Sequence, residues 1–277
     1  MRIRLGDLTF DVRVHGPADG RTVLLLHGFP QNAGCWGPVV GRLTAAGLRT
    51  VAPDQRGYSP GARPTEIAAY QLDRLVADAV GLLDALDLAA VDVVGHDWGA
   101  VVAWALAAGH PDRVRTLTAV SVPHPSAYGW ALAHDADQQT RSAYIRLFQT
   151  EGRAEQVLLA DGATRLRAMF GDLDRSVVDN YARAMGEPGA LTAALNWYRA
   201  LPHAPGTGPV TVPTTYLWSD RDIAVGRVAA GRCGGHVTGP YRMVELTGVS
   251  HWVPEQAPDA LARAVLDQVD SSGRDSR

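Results

Sequence analysis

Segment 95–99, Gly-His-Asp-Trp-Gly, contains the residues whose types and spacing point most directly to chemistry. It follows the apolar run 91–94 and precedes the small-residue run 100–108, which is the pattern of a strand, a sharp turn and a helix. A glycine on each side lets the chain turn sharply enough to expose the central side chain above a sheet. The sequence therefore predicts that Asp97 lies at a strained elbow, where hydrolases with this pattern usually carry a serine.

An aspartate at such an elbow narrows the reaction to attack on a saturated carbon. A serine oxygen would form an ether there, which is a dead end, whereas the Asp97 carboxylate would form an alkyl ester that water can hydrolyse. The expected substrate therefore has an electrophilic sp3 carbon and a leaving group, as in an epoxide or a carbon–halogen bond. The alternative for Asp97 taken alone is a helix N-cap, a position that aspartate favours.

Hydrolysis of that ester requires a base and a group that orients the base, and two downstream segments provide candidates. Segment 219–222, Ser-Asp-Arg-Asp, follows a strand predicted over 214–218, and the segment 249–252 that contains His251 follows a strand predicted over 242–246. Parallel strands place their carboxyl ends at one edge of a sheet, and the chain order of nucleophile, acid and histidine fits the elbow pattern. Taken singly, the acid fits an ordinary turn or N-cap and the histidine a surface loop; their order and placement favour a catalytic set.

Segment 27–30, His-Gly-Phe-Pro, directly follows the continuous apolar run 22–26. A His-Gly pair in this place commonly shapes the loop that supplies one amide of an oxyanion hole. We expect the backbone N–H groups of Phe29 and Trp98 to stabilise the oxyanion of ester hydrolysis, each by roughly 3–4 kcal/mol. The simpler alternative is a tight turn that uses the glycine.

These residues need a framework of alternating strands and helices. Strands are predicted over 8–14, 22–26, 49–53, 91–94, 114–122, 214–218 and 242–246, and helices over 37–46, 70–86 and 258–269. The helix over 70–86 is the clearest, because apolar residues recur there at three- and four-residue spacing. The alternation predicts an α/β fold with a mostly parallel sheet covered by helices on both faces.

The strand pattern is interrupted between about residues 124 and 209. Helices are predicted in this region over 137–149, 154–159, 164–170, 176–185 and 190–201. The sequence therefore predicts a core formed by 1–123 and 210–270, an inserted helical cap over 124–209, and a disordered tail over 271–277.

The composition restricts the classes of partner that the protein is expected to bind and the cellular compartment in which we expect it. With 277 residues, a formal net charge of −3 and 20% charged residues, the chain lacks the basic surface of a nucleic-acid-binding protein. Cys35 and Cys233 lie far apart and outside any metal-ligand spacing, which indicates free thiols in a reducing compartment. Without a signal peptide or a membrane-length apolar run, we expect a cytoplasmic protein with no membrane partner; whether it forms a homodimer stays open.

The sequence resembles the α/β-hydrolase-fold epoxide hydrolases of the soluble type over nearly its whole length. The matching segments are 27–30, 54–58, 95–99 and 250–252 in the core, and 143–149 and 195–199 in the cap. The two cap segments resemble the lid-tyrosine motifs of that family, at Tyr144 and Tyr198. The family spacing Ser/Gly-x-x-Asp selects Asp222 rather than Asp220 as the acid. One departure is Ser-Pro-Gly at 59–61 in place of the more usual Gly-x-Ser, which bears on loop shape.

The resemblance implies an enzyme that converts an epoxide to a vicinal diol and requires no metal or organic cofactor. Asp97 would open the ring while Tyr144 and Tyr198 hold the oxygen, and His251, oriented by Asp222, would activate water against the ester. The partners are then the epoxide substrate and water. A phenol suits this role because it donates a proton within an apolar cleft. Taken singly, each tyrosine is better explained as packing between cap and core.

Two other classes of function fit part of the pattern. A haloalkane or haloacid dehalogenase shares Asp97 and Trp98 but needs a second halide donor; Phe29 has none, which leaves Trp130 and Trp197. The haloacid enzymes also expect an arginine just after the nucleophile, where Trp98 stands. A non-catalytic ligand-binding protein, or another hydrolase or lyase on the same fold, is the third possibility, and the complete catalytic set argues against it.

Overall fold

A computed structural model describes residues 1–201 and 206–274 of the chain. The strands of these residues form one eight-stranded sheet in the order β1-β2-β4-β3-β5-β6-β7-β8. They are β1 (Arg2–Leu5), β2 (Leu8–His15), β3 (Thr22–Leu26), β4 (Arg49–Pro53), β5 (Val91–His96), β6 (Val114–Val120), β7 (Thr214–Arg221) and β8 (Tyr241–Ser250). β1 and β2 pair antiparallel, whereas β3 to β8 run parallel, which confirms the predicted α/β fold.

The helices cover both faces of the sheet and fill the region between β6 and β7. They are α1 (Gly37–Ala45), α2 (Leu72–Ala85), α3 (Trp98–Gly109), α4 (Pro125–His134), α5 (Ala136–Arg141), α6 (Tyr144–Phe148), α7 (Arg153–Ala168), α8 (Arg175–Met185), α9 (Ala190–Ala200), α10 (Arg227–Gly231), α11 (Val253–Gln256) and α12 (Pro258–Arg274). Short 3-10 helices lie at Ala33–Trp36, Pro60–Ala62, Ile67–Tyr70, Pro111–Arg113 and Cys233–His236. No helix in the described residues is long and apolar enough to span a membrane.

The central strand β3 is apolar on both faces because each face is covered by helices. All of its residues are buried. Leu24 and Leu26 belong to the apolar layer that contains α2 and α3, whereas Val23 and Leu25 belong to the layer that contains α1 and α12. The continuous apolar run predicts this two-sided burial, since successive side chains of a strand point to opposite faces.

The parallel register brings the ends of four strands to one edge of the sheet. Leu26 pairs with Gly95, His96 pairs with Val120, and Val120 pairs with Leu217. The residues that follow β3, β5, β6 and β7 therefore emerge side by side. This edge is where open α/β sheets place their sites.

The helices between β6 and β7 differ in detail from the prediction. The segment predicted as one helix over 137–149 is divided into α5 and α6 at Ser142, whose buried hydroxyl accepts a hydrogen bond from Gln138 Nε2 at 3.0 Å. α7 is interrupted at 160–163, where the dihedral angles are not helical, so the helices predicted over 154–159 and 164–170 lie on either side of the break. α4 was not predicted, because its apolar residues form no stripe.

The two chain ends also depart from the sequence prediction. β1 extends the sheet by pairing Ile3 with Phe10, although its alternating charged residues gave no clear strand signal. The expected disordered tail is wrong for residues 271–274, which continue α12. The last turns are held by Arg21, which donates to the Val269 carbonyl at 3.1 Å and to the Ser272 hydroxyl at 2.6 Å. Residues 275–277 of that prediction lie outside the described part of the chain.

Candidate active site

Asp97 lies at the turn between β5 and α3 with a backbone conformation that is strained for a non-glycine residue, at φ 53° and ψ −120°. Its neighbours must be very small for the turn to fit. A side chain at Gly99 would lie 1.9 Å from the Leu26 carbonyl oxygen, and one at Gly28 would lie 2.4 Å from Asp97 Oδ1. The glycines therefore allow β3 and its loop to approach the aspartate directly, as the elbow pattern predicts.

Two backbone N–H groups hold the Asp97 carboxylate. The Phe29 N–H donates to Asp97 Oδ1 at 2.8 Å, and the Trp98 N–H also hydrogen-bonds to the carboxylate. These are the two groups that the sequence analysis expects to form an oxyanion hole. The Phe29 N–H binds Oδ1, and the other oxygen, Oδ2, is directed toward His251 at 3.5 Å from Nε2.

His251 and Asp222 are paired beneath the nucleophile. His251 Nδ1 lies 3.0 Å from Asp222 Oδ1 and 3.1 Å from Oδ2, while Nε2 faces Asp97. The structure thus brings the three residues predicted as nucleophile, base and acid into one chain of contacts. All three side chains are buried.

The end of β7 and the turn that follows it distinguish Asp222 from Asp220. Asp222 Oδ1 accepts hydrogen bonds from the Ala224 and Val225 N–H groups at 2.8 and 3.0 Å. Asp220 is exposed and accepts instead from the Gly248 N–H at 2.7 Å, at the surface. Only Asp222, of these two acids, is directed toward the histidine.

Ser121 is part of this arrangement and was missed by the sequence analysis. Its hydroxyl donates to Asp222 Oδ2 at 2.6 Å and lies 2.9 Å from His251 Nδ1. The residue has a φ of 68°, and the Tyr216 hydroxyl donates to its carbonyl at 2.6 Å, which fixes this turn at the end of β6. A small hydroxyl residue at a strand end carries no motif of its own; only the parallel register places it beside the acid.

The charges of the site are centred on one buried imidazole. Burial alone would lower the pKa of His251, but the charges and hydrogen bonds of Asp222 and Asp97 outweigh it and raise the pKa to about 10. Burial alone would raise the pKa of each carboxyl, but the interactions with His251 keep both pKa values below the ordinary value. The free protein therefore holds an imidazolium between two carboxylates.

Two cavities meet at Asp97, with volumes of about 610 and 290 Å³. Asp97, Tyr144, Tyr198 and Ala224 line both of them. The remaining walls are mainly apolar, and include Val101, Val122, Pro125, Leu132 and Ile145 in the larger cavity and Phe29, Leu147, Phe148, Met169 and Trp252 in the smaller one. Such a space fits an apolar molecule whose reacting atoms lie at the aspartate.

Tyr144 and Tyr198, the two predicted lid tyrosines, come from α6 and α9 and line both cavities together with Asp97. Their ring centroids are 6.2 Å apart, and the Tyr198 ring packs edge-on against Trp98 at 5.1 Å. Burial raises the pKa of both phenols well above the ordinary value. Both hydroxyls therefore stay protonated at neutral pH and can donate hydrogen bonds to a group bound at Asp97.

The two tryptophans considered as second halide donors lie elsewhere. The Trp197 indole N–H donates to the Arg56 carbonyl at 2.9 Å and is therefore already used. Trp130 is 38% exposed and stacks on His134 at the surface. Neither residue lines the cavities at Asp97.

No group of three or more histidine, cysteine, aspartate or glutamate side chains in the described residues is arranged to hold a metal ion. Cys35 and Cys233 are both buried free thiols. Besides the catalytic candidates, the polar residues Ser126, Tyr128, Gln149 and Thr207 line the larger cavity.

Comparisons with known proteins place the chain in a family. A sequence profile for the alpha/beta hydrolase fold matches residues 21–258. The chain is 33% identical to the AB hydrolase superfamily protein YfhM of Bacillus subtilis, with 96% of each chain covered, and 33% identical to epoxide hydrolase A of Mycobacterium tuberculosis, with 91% of each covered. The crystal structure of epoxide hydrolase A from Mycobacterium thermoresistibile matches with a TM-score of 0.85 at 29% identity, covering 98% of this chain and 97% of that one. The chain belongs to the epoxide hydrolase family of the α/β-hydrolase fold.

Proposed function

We propose that this protein hydrolyses an epoxide to a vicinal diol through an ester on Asp97. The observation that carries the proposal is the position of Tyr144 and Tyr198, which line both cavities together with the Asp97 carboxylate. The three groups line the same apolar space. There the carboxylate can attack a carbon, and the two protonated phenols can hold the oxygen that leaves that carbon. A halide leaving group would need no such proton.

In the first step, Asp97 Oδ2 attacks one carbon of the epoxide and the bond from that carbon to the ring oxygen breaks. Oδ2 is the free oxygen, since Oδ1 accepts from the Phe29 N–H. Tyr144 and Tyr198 donate hydrogen bonds to the epoxide oxygen, and one of them transfers its proton to the alkoxide. The product of this step is a hydroxyalkyl ester of Asp97.

Formation of the ester removes the negative charge of Asp97, which is one of the causes of the raised pKa of His251. His251 can then release its proton, which replaces the one lost by the tyrosine. The imidazole becomes neutral and able to act as a base, while Asp222 and Ser121 keep its Nδ1 side fixed.

In the second step, His251 Nε2 takes a proton from water, and the hydroxide attacks the carboxyl carbon of the ester. The tetrahedral oxyanion forms at Oδ1, where the Phe29 N–H already donates, and the Trp98 N–H, which also hydrogen-bonds to this carboxyl group, adds to its stabilisation. Collapse breaks the bond between the carboxyl carbon and the alcohol oxygen, which takes up the remaining proton of the attacking hydroxide, and the diol leaves. Asp97 is again a carboxylate, with one oxygen from water, and His251 is again an imidazolium.

A substrate panel tests this function. Aryl and aliphatic epoxides and haloalkanes of matched carbon skeleton are incubated with the protein, and diol and halide are measured separately. We expect diol from epoxides and no halide release above that of an Asp97→Ala control. Halide release without diol formation would instead identify a dehalogenase, and binding without either product would identify a ligand-binding protein.

A further inference from the structure

A chain of buried polar groups lies behind His251, and the proposed mechanism does not use it. His96 Nε2 lies 2.8 Å from the His251 backbone oxygen, and His96 Nδ1 lies 2.9 Å from Gln31 Oε1. Gln31 Nε2 donates to Glu255 Oε1 at 2.7 Å, and the Tyr181 hydroxyl donates to the same oxygen at 2.7 Å. These contacts connect α8 of the cap to the backbone of the catalytic histidine.

The hydrogen bonds of His96 require one more proton than a neutral ring carries. Both of its contacts end on oxygen atoms that accept, whereas a neutral imidazole has a single N–H to donate. All contacts are satisfied if His96 is a cation and Glu255 an anion. They are also satisfied if the Gln31 amide is turned by half a turn, so that its NH2 donates to a neutral His96 and its oxygen accepts from a protonated Glu255. Both arrangements contain the same extra proton.

The surroundings favour the second arrangement, in which His96 and Glu255 are both uncharged. Burial lowers the pKa of His96 to about 4 and raises the pKa of Glu255. His96 and Gln31 are fully buried, and Glu255 Oε2 has no hydrogen-bond partner in the described residues, which is costly for a carboxylate. The charged and titratable groups around this chain are Arg13, Cys35, Asp54, Asp97, Tyr181, Asp222 and His251.

We propose that Glu255 is a positioning residue that shares one proton with His96 through the Gln31 amide, and that this proton keeps the His251 carbonyl hydrogen-bonded. When the proton is lost, the Glu255 carboxylate accepts a hydrogen bond from the Gln31 NH2, and the Gln31 oxygen then faces His96. The one N–H of His96 then reaches either Gln31 or the His251 carbonyl, but not both. The consequence for catalysis rests on the proposed role of His251; the shared proton is a property of the free protein.

Nitrogen-15 spectra of the imidazole rings test the shared proton without any substrate. While Glu255 is protonated we expect a neutral His96 with its proton on Nε2, and as the pH is raised its Nδ1 signal should move when Glu255 ionises. In Glu255→Gln, whose amide stays neutral, the signal should not move. Glu245→Gln makes the same chemical change at a glutamate paired with Arg227 at the surface and should behave as wild type. A His96 signal that is constant in wild type, or that moves equally in Glu255→Gln, overturns the proposal.

Single-turnover kinetics test the positioning role. Above the pH at which Glu255 ionises, hydrolysis of the alkyl-enzyme should slow by about fivefold to tenfold in wild type, the effect of one hydrogen bond, while ring opening is unchanged. Glu255→Gln should lack this decrease. Tyr181→Phe removes a hydrogen bond that favours the ionised Glu255 and should move the decrease to higher pH.

If the rate of alkyl-enzyme hydrolysis decreases with pH in Glu255→Gln as it does in wild type, the positioning role is overturned. If the protein forms no alkyl-enzyme at all, the proposed function fails, and the imidazole spectra still decide whether the proton is shared.

Discussion

The carboxylates of Asp97 and Asp222 lie on opposite sides of one imidazole ring. His251 Nε2 is 3.5 Å from Asp97 Oδ2, and Nδ1 is 3.0 Å from Asp222 Oδ1. Only Asp97 would lose its charge during the proposed reaction. The negative charge of Asp222 therefore persists throughout the reaction, whereas that of Asp97 is removed when the ester forms. Removal of the Asp97 charge controls when His251 can act as a base.

This relationship predicts the effect of neutralising residue 97 on the histidine. The pKa of His251 is raised to about 10 with both carboxylates present, so Asp97→Asn should lower it. In the free protein the raised pKa keeps the His251 ring protonated at neutral pH. Asp97→Asn removes the charge of residue 97, as ester formation does, so the pKa falls and the ring releases its proton more readily. An NMR titration of His251 measures both values. Asp220→Asn, which removes a surface charge near the end of β7, is the control, and an equal pKa in Asp97→Asn and wild type would contradict this account.

The same change of charge predicts how the second step depends on pH. A neutral His251 is the active form in ester hydrolysis, so the single-turnover hydrolysis rate should rise with pH through a pKa below that of the free protein. Ring opening does not require the neutral ring and should lack this rise. Rapid-quench measurements of the two rates across pH check the prediction, and a hydrolysis rate that is independent of pH throughout would count against His251 as the base.

The two cap tyrosines are predicted to act on ring opening. Tyr144→Phe and Tyr198→Phe should each slow alkylation of Asp97 at least about tenfold, and the double variant by about 10² to 10⁴, the usual contribution of general acid catalysis. Each change removes one hydroxyl and should cost about 1 kcal/mol of stability or less, so the variants should fold. Alkylation rates from quenched-flow experiments provide the test. Wild-type ring opening by the double variant would move the dehalogenase hypothesis ahead.

Much of the fold was predictable because its signals are local. β3 is almost entirely apolar and β4 contains the apolar residues Val51, Ala52 and Pro53, and the predicted bounds 22–26 and 49–53 agree with the structure. β1 was missed because an edge strand of four residues with exposed arginines carries little apolar pattern. At the division between α5 and α6 the Ser142 hydroxyl hydrogen-bonds to Gln138 and Tyr128, and a helical sequence pattern contains no sign of these contacts.

The site was predictable only where a motif carries it. The flanking glycines predict the elbow at Asp97, and the position of His251 after a predicted strand indicates its place at the edge of the sheet. Ser121, Gln31 and Glu255 have no motif, since their contacts arise from segments that are far apart in the chain and adjacent only in the sheet register. Residues of this kind require the tertiary structure.

The assignment of the acid predicts unequal effects on the two steps. Asp222 fixes the tautomer of His251 and stabilises the imidazolium that forms when water is deprotonated, which ring opening does not need. Asp222→Asn should therefore slow ester hydrolysis by about 10³ to 10⁴, by analogy with other triads, and much less affect ring opening. Pre-steady-state quenching should show accumulated alkyl-enzyme in Asp222→Asn and not in Asp220→Asn. The reverse pattern would move the acid to Asp220.

Ser121 is predicted to matter for stability as well as for the triad. Its hydroxyl is a buried donor to the Asp222 carboxylate at 2.6 Å. Ser121→Ala leaves that oxygen without this donor and should lower the free energy of unfolding by about 1.5–3 kcal/mol, as for hydrogen bonds to charged groups. Denaturant unfolding measures the loss. Ser126→Ala, in the first turn of α4, is a suitable control, and equal stability of the two variants would contradict the prediction.

The central claim is that Asp97 forms a covalent ester that His251 then helps to hydrolyse. The most direct measurement is mass spectrometry of His251→Gln after incubation with an epoxide that the wild type converts. The account predicts one adduct of the substrate's full mass, located on the peptide that contains Asp97 and absent from Asp97→Ala. An unmodified Asp97 in His251→Gln, under conditions in which the wild type turns over, would contradict the two-step mechanism.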